Sequence, residues 1–303
     1  MLEPRPMASG PWTTRRVFEF EFDGAHRRAR LLVLWLRALM MGLLAAGLAQ
    51  AQTPAPSAST CAKPLYLTFD TGHMEVAPLV ADVLKRQNLR VTFFAANERS
   101  KAGDGSLGQA WAPWWKARAA EGHEFASHTM DHMVWVADLP PAKPGGAARF
   151  RMRPTAGAAA GRPVELDAAG YCEQLDQATR TLESYTGKRA LPLFRAAAGR
   201  TSSSLLDVAR ACGYEHVGWS ATGFLGDESP SEKISNKQLL AQSLKNIKSG
   251  DILLAHLGIW SRKDPWAPAV LEPLIVGLKD KGFCFATLSE HPDYRDWIVK
   301  HKK

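Results

Sequence analysis

The chain has 303 residues, 46% of them hydrophobic, which suffices for one large α/β core. Its formal charge is +8, but residues 1–51 hold seven arginines against four acids, leaving 31 basic and 26 acidic residues, a net +5, in 52–303. No Lys/Arg stripe with interleaved aromatics appears, which excludes a nucleic-acid footprint; the mild excess suits an anionic cell-envelope setting.

The N-terminal segment reads as a secretory signal. Arg27, Arg28 and Arg30 precede the apolar Leu31–Leu36 and Met40–Leu48, and Ala49-Gln-Ala51 fits a small-x-small cleavage site. Arg37 interrupts the apolar run, so no stable membrane span is expected after cleavage. Glu19, Glu21 and Asp23 follow Arg15-Arg16 where an apolar core should begin, the pattern of an overextended start. The expected organisation is a signal over 1–51, a Pro/Ser/Ala linker over 52–60, and one domain over 61–303, exported to the periplasm or secreted.

Within that domain, strand-like and helix-like segments alternate. Expected strands are Leu65–Phe69, Arg90–Ala95, Glu124–Ser127, Leu191–Phe194, His216–Trp219, Asp251–Ala255 and Phe283–Thr287. Helical patterns lie between them, over Val76–Gln87, Trp111–Ala120, Tyr171–Tyr185, Ser203–Cys212, Lys237–Ile247 and Ala267–Lys281. The order predicts a distorted (β/α) barrel of about seven parallel strands. Two stretches break the rhythm: Asn97–Gly108, polar and Gly/Ser/Lys-containing, and Pro140–Gly161, rich in Pro, Gly and Ala. Both read as rim loops, the second as mobile. Four cysteines (61, 172, 212, 284) after an export signal permit two disulfides, with no CxxC spacing for zinc. The first and last strands of a closed barrel are neighbours, which favours Cys61–Cys284.

Chemistry concentrates where expected strands end. Leu65-Tyr-Leu-Thr-Phe runs into Asp70 and a flexible Gly72, delivering a carboxylate to the rim. His128 and His132, four apart after a short strand, place two imidazoles on one side of a turn, a spacing that suits Zn²⁺ and is unspecific alone. His256 ends a run apolar enough to be buried on both faces, where a histidine is a satisfied core residue or an acid/base. Arg195, after Leu191-Pro-Leu-Phe, could pair with a rim carboxylate. Trp219 is core or a sugar-stacking wall, and the Trp111, Trp114, Trp115 cluster has the spacing of packing.

Together these pieces resemble the polysaccharide deacetylase family, also called NodB-homology or carbohydrate esterase family 4. Thr68-Phe-Asp-Thr-Gly72, His128-Thr-Met-Asp-His132, Phe194-Arg-Ala-Ala-Ala-Gly199 and Leu254-Ala-His256 stand in the family's order and spacing. The resemblance covers about Lys63 to Glu290. It implies a divalent metal, expected to be zinc, and removal of N-acetyl groups from an amino-sugar polymer or oligosaccharide of the envelope. It also implies roles: Asp70 as general base, His128 and His132 as metal ligands, Arg195 orienting Asp70, His256 as acid, with Trp219 and Leu254 facing the substrate. The partner expected is an N-acetylated glycan; no protein partner follows.

The departures are specific. Thr71 stands where the family places a second aspartate, the third metal ligand, and a neutral hydroxyl is a poor donor to a divalent cation. His73, on the same turn, is the expected substitute, ahead of Asp131 and Glu75. Ala197 replaces a motif proline, and Trp219–Asp227 keeps only the tryptophan and one late aspartate, so Asp227 is the candidate partner of His256. Two other readings share the residues: a hydrolase of another amide or ester with altered metal use, and a non-catalytic carbohydrate-binding descendant. Retention of both an acid and a base argues against the second.

Overall fold

Residue alternation along one strand sets the architecture. The computed structural model describes residues 61–301; the expected signal, linker and cleavage site lie outside the described residues. In β1 (Pro64–Asp70) Leu65, Leu67 and Phe69 join the core beneath the helices, whereas Tyr66 joins a separate inner cluster with Phe94 and Val217. Successive side chains of a strand face opposite ways, so Thr68 and Asp70 share the inner face with Tyr66.

β1 is the central strand of a seven-stranded, all-parallel sheet curled into a half-barrel. It starts against β10 (Cys284–Phe285), then runs beside β9 (Ile252–His256) and β2 (Thr92–Ala95). Beyond β2 follow β3 (Glu124–Ser127), β7 (Leu193–Phe194) and β8 (Glu215–His216). The expected barrel of about seven parallel strands is what forms. The outer strands are shorter than the apolar runs suggest, although residues just beyond them, such as Leu191, Val217 and Ala286, still donate to carbonyls of the neighbouring strands.

The helices are cut by local signals. Pro78 and Pro113 sit in the first turns of α1 (Ala77–Arg86) and α2 (Ala112–Ala120), where a missing N–H costs nothing. Asp167 caps α3 (Ala168–Thr186), which ends on left-handed Gly187; Ser202 caps α4 (Ser203–Ala211). Ser235 and Gln238 form a capping box on α5 (Asn236–Asn246). α6 (Leu271–Asp280) and α7 (Pro292–His301) close the fold. The tryptophan cluster is packing, as its spacing implies: fully buried Trp115 meets Phe93 edge-on, and its Nε1 donates to the Ser106 carbonyl at 2.8 Å. Burying one such ring contributes roughly 1.5–3 kcal/mol.

The cysteines pair as Cys61–Cys284 and Cys172–Cys212, with Cα separations of 6.1 and 5.8 Å. The first bond fastens the start of β1 to β10, the adjacency that favoured it from sequence.

One expectation fails. Pro140–Gly161 is not a mobile loop, because β5 (Arg149–Pro154) runs through it. Together with β4 (Met133–Leu139) and β6 (Val164–Asp167), it forms a three-stranded antiparallel sheet. Phe150 and Met152 are buried while Arg151 and Arg153 point outward, a period-two pattern hidden between Pro/Gly tracts that prove to be the turns. α7 was also unforeseen.

Candidate active site

Register carries the chemistry to one end of the half-barrel. Asp70 pairs across the sheet with His256 of β9 on one side and Phe94 of β2 on the other, so the three side chains stand side by side on the inner face. His128 follows β3 directly and Arg195 follows β7 directly, and Ser127 pairs with Phe194. That arrangement brings Arg195 under Asp70. Its Nη1 donates to Asp70 Oδ1 at 2.7 Å, while Nε and Nη2 donate to the carbonyls of Val217 and Gly218. The guanidinium is fully buried and stacked 4.2 Å from the Phe94 ring centroid. Burial alone would raise the Asp70 carboxyl; Arg195, helped by His128 and His256, holds it below the usual carboxylate range.

His256 has the opposite charge state. Burial alone would depress it, but Asp227, the hydrogen bonds to Asp227 and Glu228, and Asp70 hold it well above the ordinary imidazole range. Its Nδ1 lies 3.1 Å from Asp227 Oδ1, its backbone N–H donates to Asp227 Oδ2 at 2.6 Å, and Nε2 lies 3.1 Å from Glu228 Oε1. Asp227 is thus the partner of His256.

The histidine pair sits on a tight turn with two non-glycine residues in left-handed conformation, Thr129 (φ 61°) and His132 (φ 49°). Such backbone is held only when the surroundings over-determine it. Here Met133 N–H donates to Thr129 Oγ1, and Gln174 of α3 takes the N–H groups of Met130 and Asp131. The two rings meet edge-on with centroids 4.7 Å apart. His132 is pushed down to about 4, mainly by burial, against the opposing charge of Glu98. Asp70, His128, His132 and His256 line one cavity of about 260 Å³, with Trp219 and Leu254 in its walls. Gly199 (φ 64°) lets Trp219 close in, since a Cβ there would lie 2.6 Å from the indole.

His73 is not brought to that cavity. Its Nδ1 accepts from the Glu75 N–H at 3.2 Å, its ring stands edge-on to Trp260, and it lines a smaller adjoining cavity with Lys101 and Arg262. Burial is the main cause that lowers its basicity. Gly72 serves a different end from aiming His73 inward. A Cβ on Gly72 would lie 2.0 Å from the Gly258 carbonyl oxygen, so the glycine lets the chains after β1 and β9 touch. Nor do the two alternatives reach the site: Glu75 is paired with Lys101, and Asp131 Oδ2 accepts from Gln174. Two carboxylates that the sequence reading passed over line the cavity instead, Glu98 and Glu228. Glu98 lies in the polar loop Asn97–Gly108, whose position after β2 was the available signal; Glu228 follows Asp227 directly.

The polysaccharide deacetylase sequence pattern matches residues 57–217. The chain belongs to this family. Polysaccharide deacetylases are hydrolases acting on carbon–nitrogen bonds other than peptide bonds. A chitooligosaccharide deacetylase of Azorhizobium caulinodans is 26% identical over 234 residues, spanning 74% of this chain and 92% of that one. A peptidoglycan-N-acetylglucosamine deacetylase of Bacillus cereus is 26% identical over 234 residues, spanning 77% and 90%. Among solved structures, a family 4 acetyl xylan esterase from Clostridium thermocellum in complex with a cobalt ion superposes with a TM-score of 0.57 at 19% identity, covering 80% of this chain and 97% of that one. That likeness shows the fold.

Family members generally use a divalent metal, and the donor chemistry of this polysaccharide deacetylase fits one in part. His128 Nδ1 faces the Arg195 carbonyl at 2.9 Å, and a carbonyl can only accept, so Nδ1 is the donor there and Nε2 is the nitrogen turned to the cavity. That Nε2 stands 3.5 Å from Asp70 Oδ2. His132 likewise engages Thr155 through Nδ1, leaving Nε2 available. Among the described residues, however, no three His, Cys, Asp or Glu side chains are gathered at one point. Thr71 contributes nothing there; its hydroxyl donates to Glu98 Oε2 at 2.7 Å and accepts from the Ala96 N–H at 3.0 Å.

Proposed function

We propose that this polysaccharide deacetylase is an exported, divalent-metal-dependent enzyme that removes N-acetyl groups from an amino-sugar polymer or oligosaccharide of the cell envelope. One observation carries the reading: an ionised carboxylate and a protonated imidazole, Asp70 and His256, stand in register on neighbouring strands and face one cavity. Pairs of titratable groups driven to opposite charge states mark acid and base assignments. The names of the two deacetylase relatives support the substrate class. The disulfides support an oxidising compartment. Among the described residues no helix is long and apolar enough to cross a membrane.

In this reading His128 and His132 hold the cation, zinc being the metal suited to imidazole donors. When bound, such a cation supplies Lewis acidity, acidifying water and polarising a carbonyl. Asp70, fixed by Arg195, takes the proton from the attacking water. His256 Nε2 gives its proton to the departing sugar amine, a poor leaving group without it, while Asp227 keeps the ring oriented and charged. Trp219 offers an apolar wall on which a sugar ring can lie.

The test is acetate release from chitin oligomers and from N-acetylated peptidoglycan, with the metal content of the purified protein measured alongside. Acetate release that stops on chelation and returns with Zn²⁺ is expected. Protein that carries no metal and releases no acetate from either glycan would overturn the reading.

A further inference from the structure

The family pattern leaves a gap at Thr71, and the structure holds a carboxylate beside it. Glu98 follows β2, lines the cavity with His128 and His132, and accepts the hydroxyl proton of Thr71. The same oxygen accepts the Ala96 N–H at 3.0 Å, so the hydroxyl is engaged both as donor and as acceptor. The loop is tied to the histidine turn itself: Asn97 N–H donates to the Met130 carbonyl at 2.7 Å, and Met130 lies between the two histidines. Ser106 N–H fixes the Glu98 carbonyl, also at 2.7 Å. Among the described residues Glu98 makes no ion pair with Lys, Arg or His, although it borders a cavity crowded with charge.

Charge balance gives that carboxylate a purpose. Asp70 is neutralised by Arg195, and an imidazole can ligate only in its neutral form, so the two histidines would bring a divalent cation no compensating charge. A carboxylate donor would offset part of that charge. We propose that Glu98 is that donor, a third protein ligand completing a His128–His132–Glu98 site, with Thr71 as the positioning residue that holds its carboxylate at the cavity wall. The carboxylate has moved from the end of β1 to the loop after β2. The three donors are not gathered at one point, so ligation requires the Glu98 carboxylate to turn toward the histidines; Thr71 engages Oε2, and Oε1 is the oxygen offered to the cation. The inference rests on the metal-dependent reading above.

Calorimetric titration of chelator-stripped, full-length protein with Zn²⁺, and the visible spectrum of the Co²⁺-loaded protein, both read the site without turnover. Glu98→Gln keeps the shape and removes the charge, and should weaken Zn²⁺ binding about 100-fold or more and change the Co²⁺ bands. Thr71→Val should weaken it less, by about tenfold or under. His73→Ala should leave affinity within about twofold. Thr71→Asp placed in the Glu98→Gln background should recover most of the lost affinity. Thermal unfolding of each stripped variant separates loss of a ligand from loss of fold, and Glu98→Asp, which keeps the charge on a shorter arm, serves as a second variant if Glu98→Gln does not fold. If Glu98→Gln binds Zn²⁺ as wild type does while wild type also releases acetate, the Glu98 assignment is overturned and the deacetylase reading stands. If His73→Ala loses as much affinity as His128→Ala, the third ligand is His73 and the assignment is likewise overturned. Wild type that binds no cation overturns both.

Discussion

The two halves of the site are built to different tolerances. On the base side, Asp70 is 2% exposed and Arg195 beneath it is fully buried, with its guanidinium bonded on three sides and stacked on Phe94. On the acid side, His256 is held from behind by buried Asp227, yet its forward nitrogen meets Glu228, whose side chain is 46% exposed. The proposed base is thus fixed by the barrel interior before substrate arrives. The nitrogen proposed to donate the proton faces a carboxylate that is nearly half exposed. A general base gains from preorganisation, whereas a buried imidazolium with no partner would lose its proton.

Breaking the rigid side should have the largest effect. Asp70→Asn removes the base while keeping the shape, and turnover should fall by about a thousandfold or more, with metal content near that of wild type. Metal analysis beside a steady-state assay checks both parts; metal lost together with activity would make Asp70 a ligand. The same change strands the Arg195 charge in the interior, and leaving one partner of a buried pair unpaired destabilises by about 3–5 kcal/mol. Denaturant unfolding of Asp70→Asn should show that loss. An unchanged midpoint would mean that the pair is less isolated from water than its burial indicates.

The acid side should respond through pH. His256 must be protonated to act, and its raised pKa keeps it so at neutral pH; activity is lost as pH rises through that value. Asp227→Asn removes the largest stabilising charge, so the alkaline limb of kcat/KM should move to lower pH. At pH values between the two limbs, activity should fall about 10- to 100-fold. A profile whose alkaline limb does not move would remove His256 from the role of acid.

The same division explains what could be read in advance. Strand ends were legible because β1 and β9 are apolar runs stopped by Asp70 and His256, and burial on both faces leaves a plain signal. So was the Cys61–Cys284 bond, which follows from the adjacency of the first and last strands, while the Asp70–Arg195 pairing was implied by the family resemblance. Glu98 was not, because its place depends on a loop whose course is set by Asn97, Ser106 and Met130, contacts that no periodicity encodes. His73 drew attention by proximity along the chain. Its direction is set instead by Gly258, at φ 109°, where a Cβ would strike its ring at 2.2 Å. Local sequence distance is a weak guide once a chain leaves its strand.

The smallest expected effect belongs to Glu228. Its Oε1 sits 3.1 Å from His256 Nε2, the atom that must face the leaving amine, so two consequences of Glu228→Gln oppose each other. Removing the charge withdraws one contribution that raises the His256 pKa, which lowers the protonated fraction at high pH. It also releases Nε2 from a charged acceptor, which eases delivery of the proton. Since the side chain is nearly half exposed, water screens its charge far more than that of buried Asp227. Neutral-pH kcat/KM should therefore stay within about threefold of wild type, and the alkaline limb should shift in the same direction as in Asp227→Asn but by less. Profiles of kcat/KM from about pH 6 to about pH 10 for both variants measure the contrast. If Glu228→Gln proves as damaging as Asp227→Asn, the exposed carboxylate is as necessary to the acid as the buried one, and the acid side is no looser than the base side.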